Sequence, residues 1–300
     1  MKLEKQVKTV IFRQMTWKEK YGFIMRAIIM ANCEDKKKCN RKNRGQISSE
    51  EVEAYVHYGT EHLIEMLDTD SPQKRTIAAT ILGNRRDEKG ILPLCTALKE
   101  EKALYSRIAM SEALGKMGEA AVPPLIKLLG KIGTNQEVKL PKKYFNKKSF
   151  PLARDMAART IIKIGNPATP YLIKIVEEQD DYIVQQAIDA LGGIAAKTCD
   201  KSALPVLING LEIHSDNKIT FWKIVRSLSG FKYSTEALLP LLNILENDYD
   251  AAIIWESART LGQIGVNRPD VVEALCKLKE NNHPEIEKAT ENALQILKIT

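Results

Sequence analysis

The chain has 300 residues, 44% of them hydrophobic and 28% charged, with 16 Gly, 12 Pro and 5 Cys. That composition belongs to a folded globular chain and excludes a disordered, collagen-like or disulfide-stapled one. The net charge of +7 is local: residues 1–50 hold 13 basic and 5 acidic side chains, and residues 131–148 hold six Lys against Glu137 alone, so the rest is acidic.

The first 50 residues are reckoned as a unit of their own. The stretch TWKEKYGFIMRAIIMANC reads as a helix over 14–32, with Thr16 as N-cap and Glu19 at the capping-box position. It is expected to act as an N-terminal cap that covers the apolar edge of the first helical repeat. EDKKKCNRKNRGQ then reads as an exposed basic loop, and SSEE at 48–51 opens the next helix. No run approaches the ~20 apolar residues of a membrane span, so no membrane insertion is expected. Cys33, Cys39, Cys95, Cys199 and Cys276 are odd in number and scattered. They read as reduced, mostly buried thiols of a cytoplasmic protein.

From 51 to 300 the chain repeats itself. The helix endings ATILGNR, SEALGKMG, ARTIIKIG, IDALGGIA, VRSLSG, ARTLGQIG and ENALQILK align on Leu82, Leu114, Ile161, Leu191, Leu228, Leu261 and Leu294. A second marker lies upstream of five of these copies, in Pro93, Pro124, Pro170, Pro205 and Pro240. The proline-to-anchor distances are 21, 37, 21, 23 and 21 residues. The outlier locates an insertion in the third repeat, at about 131–150, which is also the basic stretch. A loop interruption of that size costs little closure entropy, so the insertion is expected to hang off the surface.

Each unit reads as two helices. Proline sits in the first turn of helix A, where its missing N–H is harmless. Helix B carries small residues (Ala78, Ala157, Ala187, Ser257) four before its anchor. It stops at Gly118, Gly165 or Gly265 in three copies. A two-helix unit cannot bury its apolar stripe alone, so about seven units stack into one continuous core.

These residues resemble the HEAT-repeat family, specifically the short HEAT-like repeats of phycobilisome lyase subunits. The resemblance rests on the helix-A proline, the acidic turns (LDTDSP, EEQDD, LENDYD) and the A-x-x-[AT]-L-G-x-I-G pattern of helix B. It implies an all-α, right-handed α-solenoid whose B helices line the concave surface. The ankyrin and tetratricopeptide patterns are absent.

Catalytic constellations are scarce. His57 and His62 are five apart and share no helix face as an i, i+4 metal pair would. No catalytic or metal site and no cofactor is expected. Deoxyhypusine hydroxylase, a di-iron relative of this repeat class, would need His-Glu pairs, and the sequence has no His-Glu dipeptide. HEAT-like alkylpurine DNA glycosylases would need an Asp beside Trp, but Trp222 and Trp255 are followed four residues on by Arg226 and Arg259. Both Trp lie six before their anchors, and the Arg column, two before, adds Arg159. Four residues apart is one helical face. Trp222, Arg226, Trp255 and Arg259, with Arg159, are therefore expected to form an aromatic–cationic patch for a protein or peptide partner in the groove. Packing of the Trp between repeats with Arg stacked on it is the competing expectation. A second column, Arg75, Arg107 and Arg154, is expected to pair with acidic turns. Lys139, Lys142, Lys143, Tyr144, Lys147 and Lys148 are the candidate anion contacts of the insertion, with Phe145 beside Tyr144 for stacking.

The expected function is a non-enzymatic scaffold that binds a protein or peptide on its concave face. The alternatives are nucleic-acid binding through the two basic segments, and an accessory role in a chromophore-lyase-like enzyme.

Overall fold

The computed structural model describes residues 39–132, 137–144, 150–178, 182–280 and 283–299. The N-terminal helix expected over 14–32, with Thr16, Glu19 and Cys33, lies outside the described residues.

A short helix α1 (Ser49–Glu53) is opened by a full capping box: the Ser48 N–H donates to Glu51 Oε2 at 2.7 Å, and the Glu51 N–H donates to Ser48 Oγ. Among the described residues there is no strand, and fourteen further helices form seven successive pairs. The A helices are α2 (Thr60–Met66), α4 (Ile91–Glu100), α6 (Val122–Ile126), α8 (Thr169–Glu178), α10 (Leu204–Ile213), α12 (Leu238–Glu246) and α14 (Pro269–Lys279). The B helices are α3 (Pro72–Arg85), α5 (Leu104–Met117), α7 (Met156–Ile164), α9 (Tyr182–Thr198), α11 (Lys218–Leu228), α13 (Ala251–Ile264) and α15 (Pro284–Ile299). The architecture is an α-solenoid. Anchor leucines such as Leu82, Leu114 and Leu261 are fully buried in a single core that runs the length of the array.

Successive B helices pack against one another more closely than successive A helices do. The B side is therefore the inner, concave side. The glycine after the anchor explains the closeness. A Cβ on Gly83 would stand 2.5 Å from the Cα of Ala113, and one on Gly262 would stand 2.6 Å from the Cα of Ala293. Only glycine admits the neighbouring backbone there. The repeat pattern alone pointed instead to the small residues four before the anchor. Those are buried too, but at Gly83 and Gly262 the neighbouring backbone leaves no room for a side chain. The helix-ending Gly118, Gly165 and Gly265 have φ of +72°, +85° and +77°, the conformation that stops a helix at little cost.

Hydroxyls lace the B helices together. Thr160 Oγ1 donates to Ser111 Oγ at 2.9 Å, and Ser227 and Thr260 donate to main-chain carbonyls of the preceding B helix. These bonds satisfy polar groups that stacking removes from water. Of the second Arg column, Arg75 forks onto Glu101 at 2.8 and 2.9 Å, and Arg107 donates to the Glu101 carbonyl. Arg154 turns instead to the insertion.

The thiols depart from expectation. Cys95 is buried, and burial pushes its thiol up to about 12. Cys39, Cys199 and Cys276 are exposed. They occupy solvent-facing positions that a buried-residue prior misjudges.

Candidate functional site

The insertion does not hang free, as a loop-entropy argument alone led us to expect. Its residues 137–144 cross the concave face between α9 and α15 and roof a cavity of about 350 Å³. Trp222, Arg226, Trp255 and Arg259 line the floor; Glu137, Pro141 and Lys143 belong to the roof.

At one end Glu137 enters a cationic cradle. Arg226 donates Nη1 and Nη2 to the two Glu137 oxygens at 2.9 and 3.0 Å, and Nη2 also donates to Asp189 Oδ1 at 2.6 Å. Lys223 Nζ lies 2.9 Å from Asp189 and 3.4 Å from Glu137. Arg154 Nε lies 3.4 Å from Glu137. The guanidinium of Arg226 sits over the Trp222 ring, 4.3 Å from its centroid. Three cations thus surround two carboxylates, in a place where Lys223 is only 1% exposed.

Burial alone would push the Glu137 and Asp189 carboxyls up. Arg226 and Lys223 outweigh it and hold both below the ordinary carboxylate range. Burial likewise opposes the charge on Arg226, and the two carboxylates more than restore it, holding its pKa above the usual value. Glu137 and Asp189 are therefore ionised at neutral pH.

At the other end Tyr144 meets Trp255 edge to face, with centroids 5.5 Å apart at 75°. Its main-chain N–H donates to Glu285 Oε2, in the first turn of α15, at 2.8 Å. Burial raises the Tyr144 phenol, Arg259 opposes the shift, and Glu256 adds to it. Between the ends, Leu140 packs against the core. Arg259 pairs with Glu256 at 2.9 Å.

The four groove residues share neighbouring B helices, as their spacing requires, but they do not face open solvent. Trp222, Arg226, Trp255 and Arg259 are 4%, 8%, 2% and 4% exposed. Arg226 stacks on Trp222 as in the competing expectation, yet what covers the patch is the insertion. Arg159 does not line the cavity; its Nε donates to the Ala153 carbonyl. Lys139, Lys142 and Lys143 are exposed. Lys147, Lys148 and Phe145 lie outside the described residues.

Sequence reasoning missed Glu137 and Asp189 as partners of Arg226, and Lys223 as a second cation on both carboxylates. Two signals were present: Glu137 is the lone acid of a basic insertion, and Asp189 holds the Arg226 column one repeat earlier. Among the described residues, no group of three His, Cys, Asp or Glu is placed to hold a metal. His57 and His62 instead flank the Tyr58 ring edge-on. No described helix is long and apolar enough to cross a membrane.

The model of HEAT repeats matches residues 60–140 and 204–295, together more than half of the chain. The chain belongs to the HEAT-repeat family. No curated protein matches it significantly. Among solved structures, a designed armadillo repeat protein is similar at 16% identity, with 80% of this chain and all of that one covered and a TM-score of 0.39. Human deoxyhypusine hydroxylase in complex with glycerol is similar at 17% identity, covering 83% and 89% of the two chains, with a TM-score of 0.37. The CpcE–CpcF complex of phycocyanin lyase from Nostoc is similar at 20% identity, covering 80% and 95%, with a TM-score of 0.33. At these identities the likenesses concern the repeat fold of this HEAT array and nothing finer.

Proposed function

We propose that this HEAT array is a non-enzymatic scaffold that holds a protein or peptide partner in its concave groove. One observation carries the reading: the B-helix face of repeats five to seven already grips a stretch of irregular chain. It uses a bidentate Arg fork on a carboxylate, an indole against a phenol ring, and a Glu on a main-chain N–H. Those are the means by which extended peptides are recognised. The test is affinity enrichment with the full chain and with Trp255→Ala, after matching the two by circular dichroism. A reproducible partner retained by the first and lost from the second is the expected result. Enrichment that is identical for both chains refutes it.

A second reading is nucleic-acid binding, since Lys139, Lys142 and Lys143 are exposed on one short segment. The packing of Tyr144 on Trp255 removes the ring that would stack on a base, which weakens this reading. Binding to a single-stranded oligonucleotide that falls steeply with salt would support it; salt-independent binding would end it.

A further inference from the structure

We propose that residues 137–144 are a pseudo-ligand, and that the groove's partner is an extended peptide carrying the same pair: a carboxylate and, seven residues on, an aromatic ring. This rests on the groove-binding reading above and specifies its ligand. The partner takes the place of the protein's own segment.

The spacing is that of the docked segment, and the array accommodates it. Glu137 is held by α11 through Lys223 and Arg226, with Asp189 of α9 pairing with the same two cations, whereas Tyr144 is held by α13 and α15 through Trp255 and Glu285. Neighbouring helices pack about 8–10 Å apart, so the two holds are one to two helix spacings, ~10–20 Å, distant. Seven residues of extended chain rise about 23 Å. A peptide whose acid and ring are seven apart, as in the protein's own bent segment, therefore reaches both holds with length to spare. The Glu285 bond is to a main-chain N–H and is indifferent to sequence. Selectivity lies in the cationic cradle and the Trp255 face. The cradle contributes three cations, two of which also serve Asp189, so a carboxylate entering it meets a net positive charge.

The segment fills the groove incompletely. About 350 Å³ remains between it and the two indoles. Trp222 Nε1 and Arg226 Nε are buried and have no hydrogen-bond partner among the described residues. Unpaired buried donors and unfilled apolar volume both cost stability. A partner with a larger apolar side chain between its acid and its ring, and with carbonyls at those donors, removes both costs. The tethered segment has only its effective concentration, about millimolar for a short link, in its favour. A better-fitting peptide wins that competition, while a peptide copy of the segment itself does so poorly. Lys139, Lys142 and Lys143 are exposed, Lys143 at the cavity's rim where its charge acts on Glu285, and the recognised pattern is confined to the acid and the ring.

The test uses a fluorescein-labelled, end-capped peptide of residues 137–144, EVKLPKKY, and three full-length chains. These are the unaltered chain, Tyr144→Ala, and Glu137→Gln with Tyr144→Ala, each shown to be helical by circular dichroism. Fluorescence anisotropy is expected to show the peptide binding both altered chains at least about tenfold more tightly than the unaltered chain. Replacing Glu by Gln or Tyr by Ala in the peptide is expected to weaken that binding about tenfold or more. Equal binding to all three chains overturns displacement. Tight binding that survives both peptide changes overturns the acid–ring pair but leaves groove binding standing. No binding to a folded, altered chain also overturns the proposal, and the scaffold reading then rests on its own enrichment experiment.

Discussion

Arg226→Met strikes the group on which the groove is built. The guanidinium makes three charged hydrogen bonds, to Glu137 twice and to Asp189 once, and stacks on Trp222. Methionine keeps much of the side chain's apolar length but none of its donors. Breaking a buried pair by removing one member costs about 3–5 kcal/mol, because the other charge stays behind. Lys223 remains 2.9 Å from Asp189 and 3.4 Å from Glu137, so neither carboxylate is stranded. That places the loss at the lower end, about 3 kcal/mol. Urea denaturation monitored by circular dichroism measures it. Repeat arrays can unfold in stages, so the transition covering repeats five and six is the one to read. The double variant with Glu137→Gln is expected to lose about 1–2 kcal/mol less than the sum of the single losses, since each single change leaves its partner's charge behind. A single-variant loss below about 1 kcal/mol, or a cycle that adds strictly, would show that Glu137 is not docked on Arg226.

Docking of residues 137–144 should depend on acid in a defined sense. The folded Glu137 and Asp189 carboxyls are depressed, so their contribution is complete above the ordinary value and is lost as pH falls through the lower folded value. Tryptophan emission is expected to hold steady from neutral pH down to about 4.5 and to shift red only below it; a shift between pH 7 and 5 would contradict this sign. Gly83→Ala pushes a methyl group into the backbone of α5, and overpacking of about 3 kcal/mol less a helix-propensity gain of about 1 leaves a net loss near 2 kcal/mol. Thermal denaturation no lower than for the unaltered chain would refute the close approach. Iodoacetamide applied to the folded chain, followed by peptide mass spectrometry, is expected to label Cys39, Cys199 and Cys276 and to spare Cys95 until denaturant is added. Labelling of Cys95 under native conditions would refute its burial.

The repeat architecture was readable because each unit carries its own local instructions. Proline in the first turn of helix A and glycine after helix B act within a few residues of themselves, so their spacing exposed both the period and the insertion. The groove was half readable. Trp222, Arg226, Trp255 and Arg259 fall on one face because helix geometry alone puts them there. Their covering was hidden, because Glu137 meets Arg226 across 89 residues and Tyr144 meets Glu285 across 141. Such contacts depend on how the whole array curves, a sum of small inter-repeat rotations that no single repeat encodes. A composition argument also misled: five of the six lysines of residues 131–148 fall within 139–148 and suggested a solvated appendage, whereas the lone acid, Glu137, decides where the segment sits.

Photo-crosslinking from position 255 tests the groove most directly. With benzoylphenylalanine in place of Trp255, irradiation of the chain alone should crosslink to residues 141–144, where Tyr144 lies against the ring. Adding excess peptide that carries the acid–ring pair should move the crosslinks from the insertion to the peptide. Crosslinks to neither, or crosslinks to the insertion that persist at saturating peptide, would contradict a groove that is both covered by its own chain and open to a partner.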